Sequence, residues 1–453
     1  MMPVALAGRV IFPLQERLKG KPTFRRLAEL ERTQWLTPDA LAELTFCRVR
    51  RHLDWVYREV PHYRRLLDAH ELPPSRIASL DDFARVPCLT KDDLQRRFDD
   101  LQPRTRLAGA QRVATGGSTG APVTVLVDRE RTAFTDAARL RAHRWWRADV
   151  GVPEVVLWGS PHELTKQDVV RTVRDRLLNS YLLSAFDLGE AALARYADAV
   201  RRRRPVKLYG YASALYLLAR YLERTGFRSG DGWPRVVFTT AEPLYDFQRA
   251  VIERVFGAPA AVEYGCREGG LIANECPDGG LHVPAEGMHV EIDAADGGAR
   301  GEIVITNLDS WAMPIVRYRT GDIGELDTRP CRCGRGLPRL ARVDGRSTDF
   351  LVTATGKVMH ALAVIYILRE APALRAFQVV QETIDRVVVR VVPDDGFVPA
   401  TATAIAARVR QLFDDAAEVE VAVVDAIERA ASGKHRYVIS RVVDHPLIAP
   451  VEA

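Results

Sequence analysis

The chain has 453 residues, 47% hydrophobic and 27% charged, which is the balance of a soluble globular protein, and its length predicts two domains. Lys and Arg exceed Asp and Glu by 64 to 59, a net +5. That excess is small for the length, and no stretch joins dense basic residues to stacking aromatics, so no nucleic-acid partner is expected.

No run approaches ~18 consecutive apolar residues, so no membrane span is read. The N-terminal MMPVALAGRVIFPLQERL is interrupted by Arg9 and lacks the basic region, apolar core and cleavage site of a leader, which makes the expected location cytoplasmic. Six cysteines are too few for a secreted disulfide scaffold.

In chain order, Ala40 to Glu59 and Leu80 to Leu101 carry apolar residues at helical spacing, and Thr90 before Lys91-Asp92-Asp93 is a helix start. Cys47 and Cys88 read as core residues. From Gln111 the texture changes to short strands, at Val123 to Val127, Val155 to Trp158, Val206 to Tyr211 and Arg235 to Glu242. Helical stretches at Arg131 to Trp146, Ala191 to Val200, Ala212 to Thr225 and Asp246 to Phe256 lie among them. This alternation predicts an α/β domain. The basic run Arg201 to Arg204 reads as a solvated helix end.

Beyond Gly345 a hairpin (DGRSTDFLVTATGKVMH) is followed by a helix at Ala361 to Arg369 and strands at Phe377 to Val380 and Arg386 to Val392. A helix at Ala402 to Leu412 and a strand at Val419 to Val424 complete a small α+β unit. The expected domains are 1–344 and 345–453.

Four stretches carry possible chemistry. TGGSTGAPVT (Thr115 to Thr124) packs glycines and hydroxyls before a strand. It suits either a polyphosphate cradle or a plain hairpin turn, and it is not a Walker loop, because no GK[ST] closes it. VEYGCREGG (Val262 to Gly270) sets Glu268 in a turn, as a Mg²⁺ ligand or a surface residue. RYRTGDIGEL (Arg317 to Leu326) offers Asp322 to a ribose. ASGKHRY (Ala431 to Tyr437) holds Lys434 in a glycine-hinged loop, able to meet a developing phosphate charge or only solvent.

Taken with GRSTD (Gly345 to Asp349), their order and spacing resemble the adenylate-forming superfamily of acyl- and aryl-CoA synthetases. Within it the chain is most similar to the phenylacetate–CoA ligase branch and its capsule-biosynthesis relatives, almost end to end. VPCLTKDDL (Val86 to Leu94), LYGYASAL (Leu208 to Leu215) and TTAEPL (Thr239 to Leu244) look like that branch too.

The resemblance implies a large α/β domain that binds ATP and the acid, and a small mobile α+β lid. Thr115, Gly116, Gly117, Ser118, Thr119 and Gly120 would cradle the ATP phosphates, and Glu268 would bind Mg²⁺. Tyr264 and Gly265 would lie beside adenine and the acyl group, with Glu242, Pro243 and Leu244 near adenine. Asp322 and Arg346 would hold the ribose. Lys434 would act in adenylation and Asp349 as the hinge. Many relatives have Lys where Ala121 stands and Thr where Arg267 stands.

The implied reaction activates a carboxylic acid as acyl-AMP and passes it to a thiol, either coenzyme A or the phosphopantetheine of an acyl carrier protein. Transfer to an amine or hydroxyl is one alternative, and a zinc-dependent binding module is the other. Trp158, Tyr209, Tyr211, Ala241 and Tyr264 form the candidate acid pocket, whose aromatic lining fits an aryl or arylacetic acid. A monomer or homodimer is expected.

Cys276, His282, Cys331 and Cys333 complete a tetrahedral donor set for structural zinc, or stand as unrelated reduced side chains. Their flanks, CPDGGLH and CRCGRGLP, are rich in glycine and proline, and similar clusters occur in the branch. No feature marks Cys266 as a nucleophile.

Overall fold

A computed structural model describes residues 2–114, 123–158, 168–185, 188, 190–227, 229, 233–294, 298–346, 350–355, 358–360, 362–428 and 436–442. Two compact units divide the chain. One holds Met1–Asp344, and the other holds Gly345–Ala430 with the described part of Lys434–Ala453. Among the described residues no helix is long and apolar enough to cross a membrane.

The larger unit opens with helices. Thr37 caps the helix Pro38–Glu59 by accepting from Ala40 N, and Leu41, Thr45, Val49, Leu53 and Val56 form its buried stripe. Cys47 lies off that stripe and is exposed, contrary to the core position expected for it, and Cys88 is half-buried. The single helix expected over Leu80 to Leu101 is two, Leu80–Phe83 and Lys91–Arg96. Pro87 disfavours helix at Val86. The chain instead runs extended, with Leu89 N donating to Arg317 O and Leu89 O accepting from Arg319 N, before Thr90 and Asp93 form a capping box.

The strands follow in order. β1 (Gln111–Ala114) and β2 (Thr124–Val127) form an antiparallel pair. Then come β3 (Glu154–Trp158), β4 (Ser180–Ser184), β5 (Lys207–Tyr211), β6 (Val236–Thr240), β7 (Ala260–Cys266), β8 (Gly270–Glu275) and β9 (Leu281–His282). β10 (Met288–Asp293), β11 (Arg300–Asn307), β12 (Ile315–Asp327) and β13 (Arg339–Arg346) complete the set. These last eleven make one sheet, ordered β10-β11-β12-β13-β9-β8-β7-β6-β5-β3-β4. The β7-β6-β5-β3-β4 half is parallel, as helical crossovers require, and β7, β8 and β9 pair antiparallel.

The helix Arg129–Trp145 carries an ion pair into the core. Arg141 Nη1 donates to Glu286 Oε1 at 2.6 Å, and the Thr33 hydroxyl donates to the same oxygen at 2.7 Å. Arg201 to Arg204 are exposed around the C-terminal end of Glu190–Arg203, and Arg203 lies over the Tyr181 ring.

In the smaller unit β14 (Phe350–Val352) pairs antiparallel with β15 (Val358–His360). β16 (Leu374–Thr383), β17 (Arg386–Pro393), β18 (Glu418–Val423) and β19 (Val438–Ser440) form a second sheet, ordered β18-β17-β16-β19. Helices Leu362–Glu370 and Pro399–Leu412 pack in this unit. Gln381 ties the hairpin to the sheet, accepting from Val352 N and donating to Val352 O.

Candidate active site

At the C-terminal end of β7 the chain turns from Tyr264 to Gly270. A Cβ on Gly265 would stand 2.6 Å from Gly270 O, so only glycine lets β7 and β8 approach this closely. The Tyr264 hydroxyl donates to Asp322 Oδ2 at 2.7 Å. Burial, reinforced by that carboxylate, holds the Tyr264 phenol well above its ordinary range, so it remains a donor.

Asp322 sits on a bulge. Glu302 pairs with Ile323 and Val304 with Arg319, so Ile303 faces the three residues Thr320 to Asp322. The Thr320 hydroxyl donates to Ile303 O and accepts from Asp322 N, which fixes the protrusion. The structure therefore joins two of the stretches singled out in the sequence through one short hydrogen bond.

Glu268 is 8% exposed, and its carboxylate has no hydrogen-bond partner among the described residues. The charge of Arg131, from the helix Arg129–Trp145, acts on it. Arg131 Nη2 also donates to Arg267 O at 2.6 Å, and Arg267 Nη1 donates to Ala114 O at 2.6 Å. The residue that replaces the common Thr thus ties the Glu268 turn to the end of β1, where the glycine-rich stretch begins. Glu242, after β6, accepts from Ser213 N at 2.9 Å, at the start of the helix Ala212–Arg224, with Ala241 held at φ +65° before it and Pro243 following it. Arg346 closes β13. Thr115 to Gly120, Asp349 and Lys434 lie outside the described residues.

Along the expected pocket wall, Trp158 packs on Tyr211 with centroids 4.5 Å apart and on Tyr209 at 6.0 Å. Tyr211 is buried in the core, whereas Tyr209 is half-buried. The Tyr209 hydroxyl donates to Glu263 Oε1 at 2.7 Å, and Arg139 grips Glu263 with two bonds of 2.9 Å. Sequence reading passed over Arg131, Arg139 and Glu263. The available signal was charge at positions otherwise occupied by core residues. Arg131 and Arg139 share one face of a helix whose neighbours Ala133, Phe134, Ala137 and Ala138 are buried, and Glu263 interrupts an apolar strand.

Cys276, His282, Cys331 and Cys333 converge, with all four donor atoms within 4.8 Å of one another. Cys276 Sγ and Cys331 Sγ are 3.8 Å apart, and Cys333 Sγ is 3.2 Å from His282 Nε2. Two thiolates at 2.3 Å from a tetrahedral ion would be separated by ~3.8 Å. His282 is 1% exposed, and burial pushes its imidazole down to about 4, which keeps it neutral. Its Nδ1 donates toward Leu337 O at 3.3 Å, leaving the Nε2 lone pair for the cluster. Burial pushes the Cys276 thiol up to about 12. Burial also opposes ionisation of Cys333, but hydrogen bonds from Arg335 and Cys331, with the Arg335 charge, together outweigh it and bring that thiol below its ordinary value. A Cβ on Gly280 would meet Cys331 Sγ at 2.8 Å and His282 Nε2 at 3.0 Å, so the glycine backbone closes directly over the donors.

Residues 351–441 match the family described as CapK C-terminal domain. The chain is 24% identical to Protein CapK of Staphylococcus aureus, over 78% of each chain. It is 28% identical to a phenylacetate-coenzyme A ligase of Escherichia coli (strain K12), over 72% of this chain and 75% of that protein, and 27% identical to one of Aromatoleum evansii, over 72% and 74%. A solved 2-hydroxyisobutyryl-CoA ligase in the postadenylation state superposes with a TM-score of 0.71 at 20% identity, covering 90% of this chain and 91% of that one, which establishes the shared fold. The chain is thus similar to the phenylacetate–CoA ligases and CapK in sequence, and shares the fold of an adenylate-forming CoA ligase.

Proposed function

We propose that the protein activates an aryl or arylacetic acid with ATP and transfers the acyl group to a thiol, that of coenzyme A or of a carrier-protein pantetheine. The acid's carboxylate attacks the α-phosphorus in line, and pyrophosphate leaves. The thiol then attacks the acyl carbonyl, and AMP leaves. The observation that carries this reading is the Tyr264–Asp322 hydrogen bond, which brings the turn proposed to flank adenine and the acyl group against the carboxylate proposed for the ribose.

The fit for Mg²⁺ rests on Glu268, a nearly buried carboxylate with no hydrogen-bond partner among the described residues. Mg²⁺ bound there would neutralise phosphate charge. Thr115 to Gly120 are proposed to cradle the phosphates, with Arg267 anchoring the stem of that loop at Ala114. Glu242 and Pro243 are proposed to border adenine, and Arg346 to assist Asp322 at the ribose. Lys434 is proposed to stabilise charge on the transferring group, and Asp349 to be the hinge that withdraws it between the two half-reactions.

The four-donor cluster is proposed to hold zinc in a structural role, because four protein donors converge within 4.8 Å, enough to fill a tetrahedral shell, with Cys276 and Cys331 at the spacing such a shell needs. ATP–pyrophosphate exchange with a panel of carboxylic acids tests the first half-reaction, and thioester formation with coenzyme A tests the second. Exchange without thioester would move the acceptor to an amine or hydroxyl, and no exchange with any acid would reject the ligase reading.

A further inference from the structure

The inner end of the aromatic wall is polar. Glu263 is 3% exposed and has both oxygens occupied, one by Arg139 Nε and the other by Arg139 Nη2 and the Tyr209 hydroxyl. Arg139 Nη1 has no hydrogen-bond partner among the described residues. About a third of the Arg139 side chain's surface, 34%, remains accessible. That open surface stands beside the aromatic wall, with the guanidinium 5.8 Å from the centre of the Tyr209 ring. Tyr209 is likewise half-open, and Trp158 extends the same wall.

Arg131, Thr135 and Arg139 stand at i, i+4 and i+8 on one helix face. Arg131 binds the carbonyl of Arg267, and the Thr135 hydroxyl lies 3.1 Å from where a Cβ on Gly270 would be. Arg139 is therefore ~12 Å along the helix axis from the level of the Glu268 turn, room for a ring and a short arm.

Arg139 and Glu263 together carry no net charge, so a second carboxylate from the substrate would be desolvated beside Glu263 without a cation of its own. A purely apolar ring end would leave the Nη1 donors facing hydrocarbon. A neutral oxygen satisfies both conditions. Resting on the proposed acid ligase activity, we infer that the preferred substrate is an aryl acid whose ring bears a hydroxyl or ether oxygen remote from its carboxylate, and that Arg139 Nη1 donates to that oxygen. Arg139 is then a specificity-determining residue.

The test compares 3- and 4-hydroxyphenylpropanoate with their methyl isosteres, which differ only in the oxygen. Binding is read by calorimetry and turnover by pyrophosphate exchange, in the full-length protein. Wild type should favour one hydroxylated acid over its methyl twin by about 10- to 100-fold, the scale of one hydrogen bond to a charged donor. Arg139→Lys keeps a cation against Glu263 but loses the outward nitrogen, and should bring that ratio close to one by weakening only the hydroxylated acid. The paired variant Arg139→Met with Glu263→Gln removes both charges together and should give the same result if the lysine variant folds poorly. Equal or better binding of the methyl twins by wild type, a ratio unmoved in both variants, or no binding of any acid would overturn the inference. A hydroxyl preference in binding without exchange would leave it standing and reject the ligase activity. Exchange without preference would do the reverse.

Discussion

Replacing Cys331 by Ser tests whether the four-donor cluster cross-links the large unit. Cys276 and Cys331 are 55 residues apart in sequence. If a metal bridge is treated as a cross-link, closing a loop of that length restricts the unfolded chain by about 4 kcal/mol at 25 °C. The unit Met1–Asp344 gains ~0.7 kcal/mol/K of unfolding entropy, from ~2.1 cal/mol/K per residue, so losing the bridge should lower Tm by about 6 °C. Untagged protein prepared without added metal or chelator should carry about one zinc per chain by elemental analysis, and Cys331→Ser should lose the metal and the stability together. His282→Ala should do the same, and the double variant should fall little further, because one lost bridge cannot be lost twice. A zinc content near zero in wild type, or a Cys331→Ser protein that melts within about 1 °C of it, would refute the cross-link.

Three other outcomes are expected. Lys434→Ala should slow acyl-AMP formation by about a hundredfold or more while sparing transfer from preformed acyl-AMP, and equal loss in both steps would reject a lysine that serves one half-reaction. Asp349→Pro should preserve pyrophosphate exchange and slow acyl transfer, because proline restricts the backbone of the proposed hinge, and normal thioester production would place the hinge elsewhere. Glu286→Ala strands the buried Arg141 guanidinium and should cost roughly 3–5 kcal/mol in denaturant unfolding, largely recovered by adding Arg141→Met, and a near-silent single variant would contradict the buried pair.

The elements that announce themselves in the sequence are those whose period follows from one buried face. The helices at Pro38–Glu59 and Asp246–Phe256, and the parallel strands β3, β5 and β6, lie within a few residues of where their apolar spacing puts them. The helix expected across Leu80 to Leu101 failed because Pro87 interrupts it locally and Leu89 pairs with a strand more than 200 residues away, a partner that no local window contains. The donor set Cys276, His282, Cys331 and Cys333 was legible because thiol and imidazole are uncommon residues in glycine-rich flanks. The polar floor at Arg139 and Glu263 was not, because each residue alone reads as a solvated charge, and only the fold brings the Arg139 guanidinium onto the buried Glu263 carboxylate.

The eleven-stranded sheet narrows at β9, which is two residues long. Leu281 and His282 pair with β8 on one side and β13 on the other, so through them the strand ladder passes from the four strands β10 to β13 to the six from β8 to β4. A two-residue strand has almost no pattern of its own to choose its alignment, and a slip of one residue would turn His282 to the opposite face. If the cluster holds zinc as proposed, the imidazole and the three thiols would help to index the halves of the sheet against each other. Tyr264 is carried by one half and Asp322 by the other. A single-residue insertion between Cys276 and Leu281 would thus be felt at Tyr264 and Asp322, two side chains carried by strands on either side of β9.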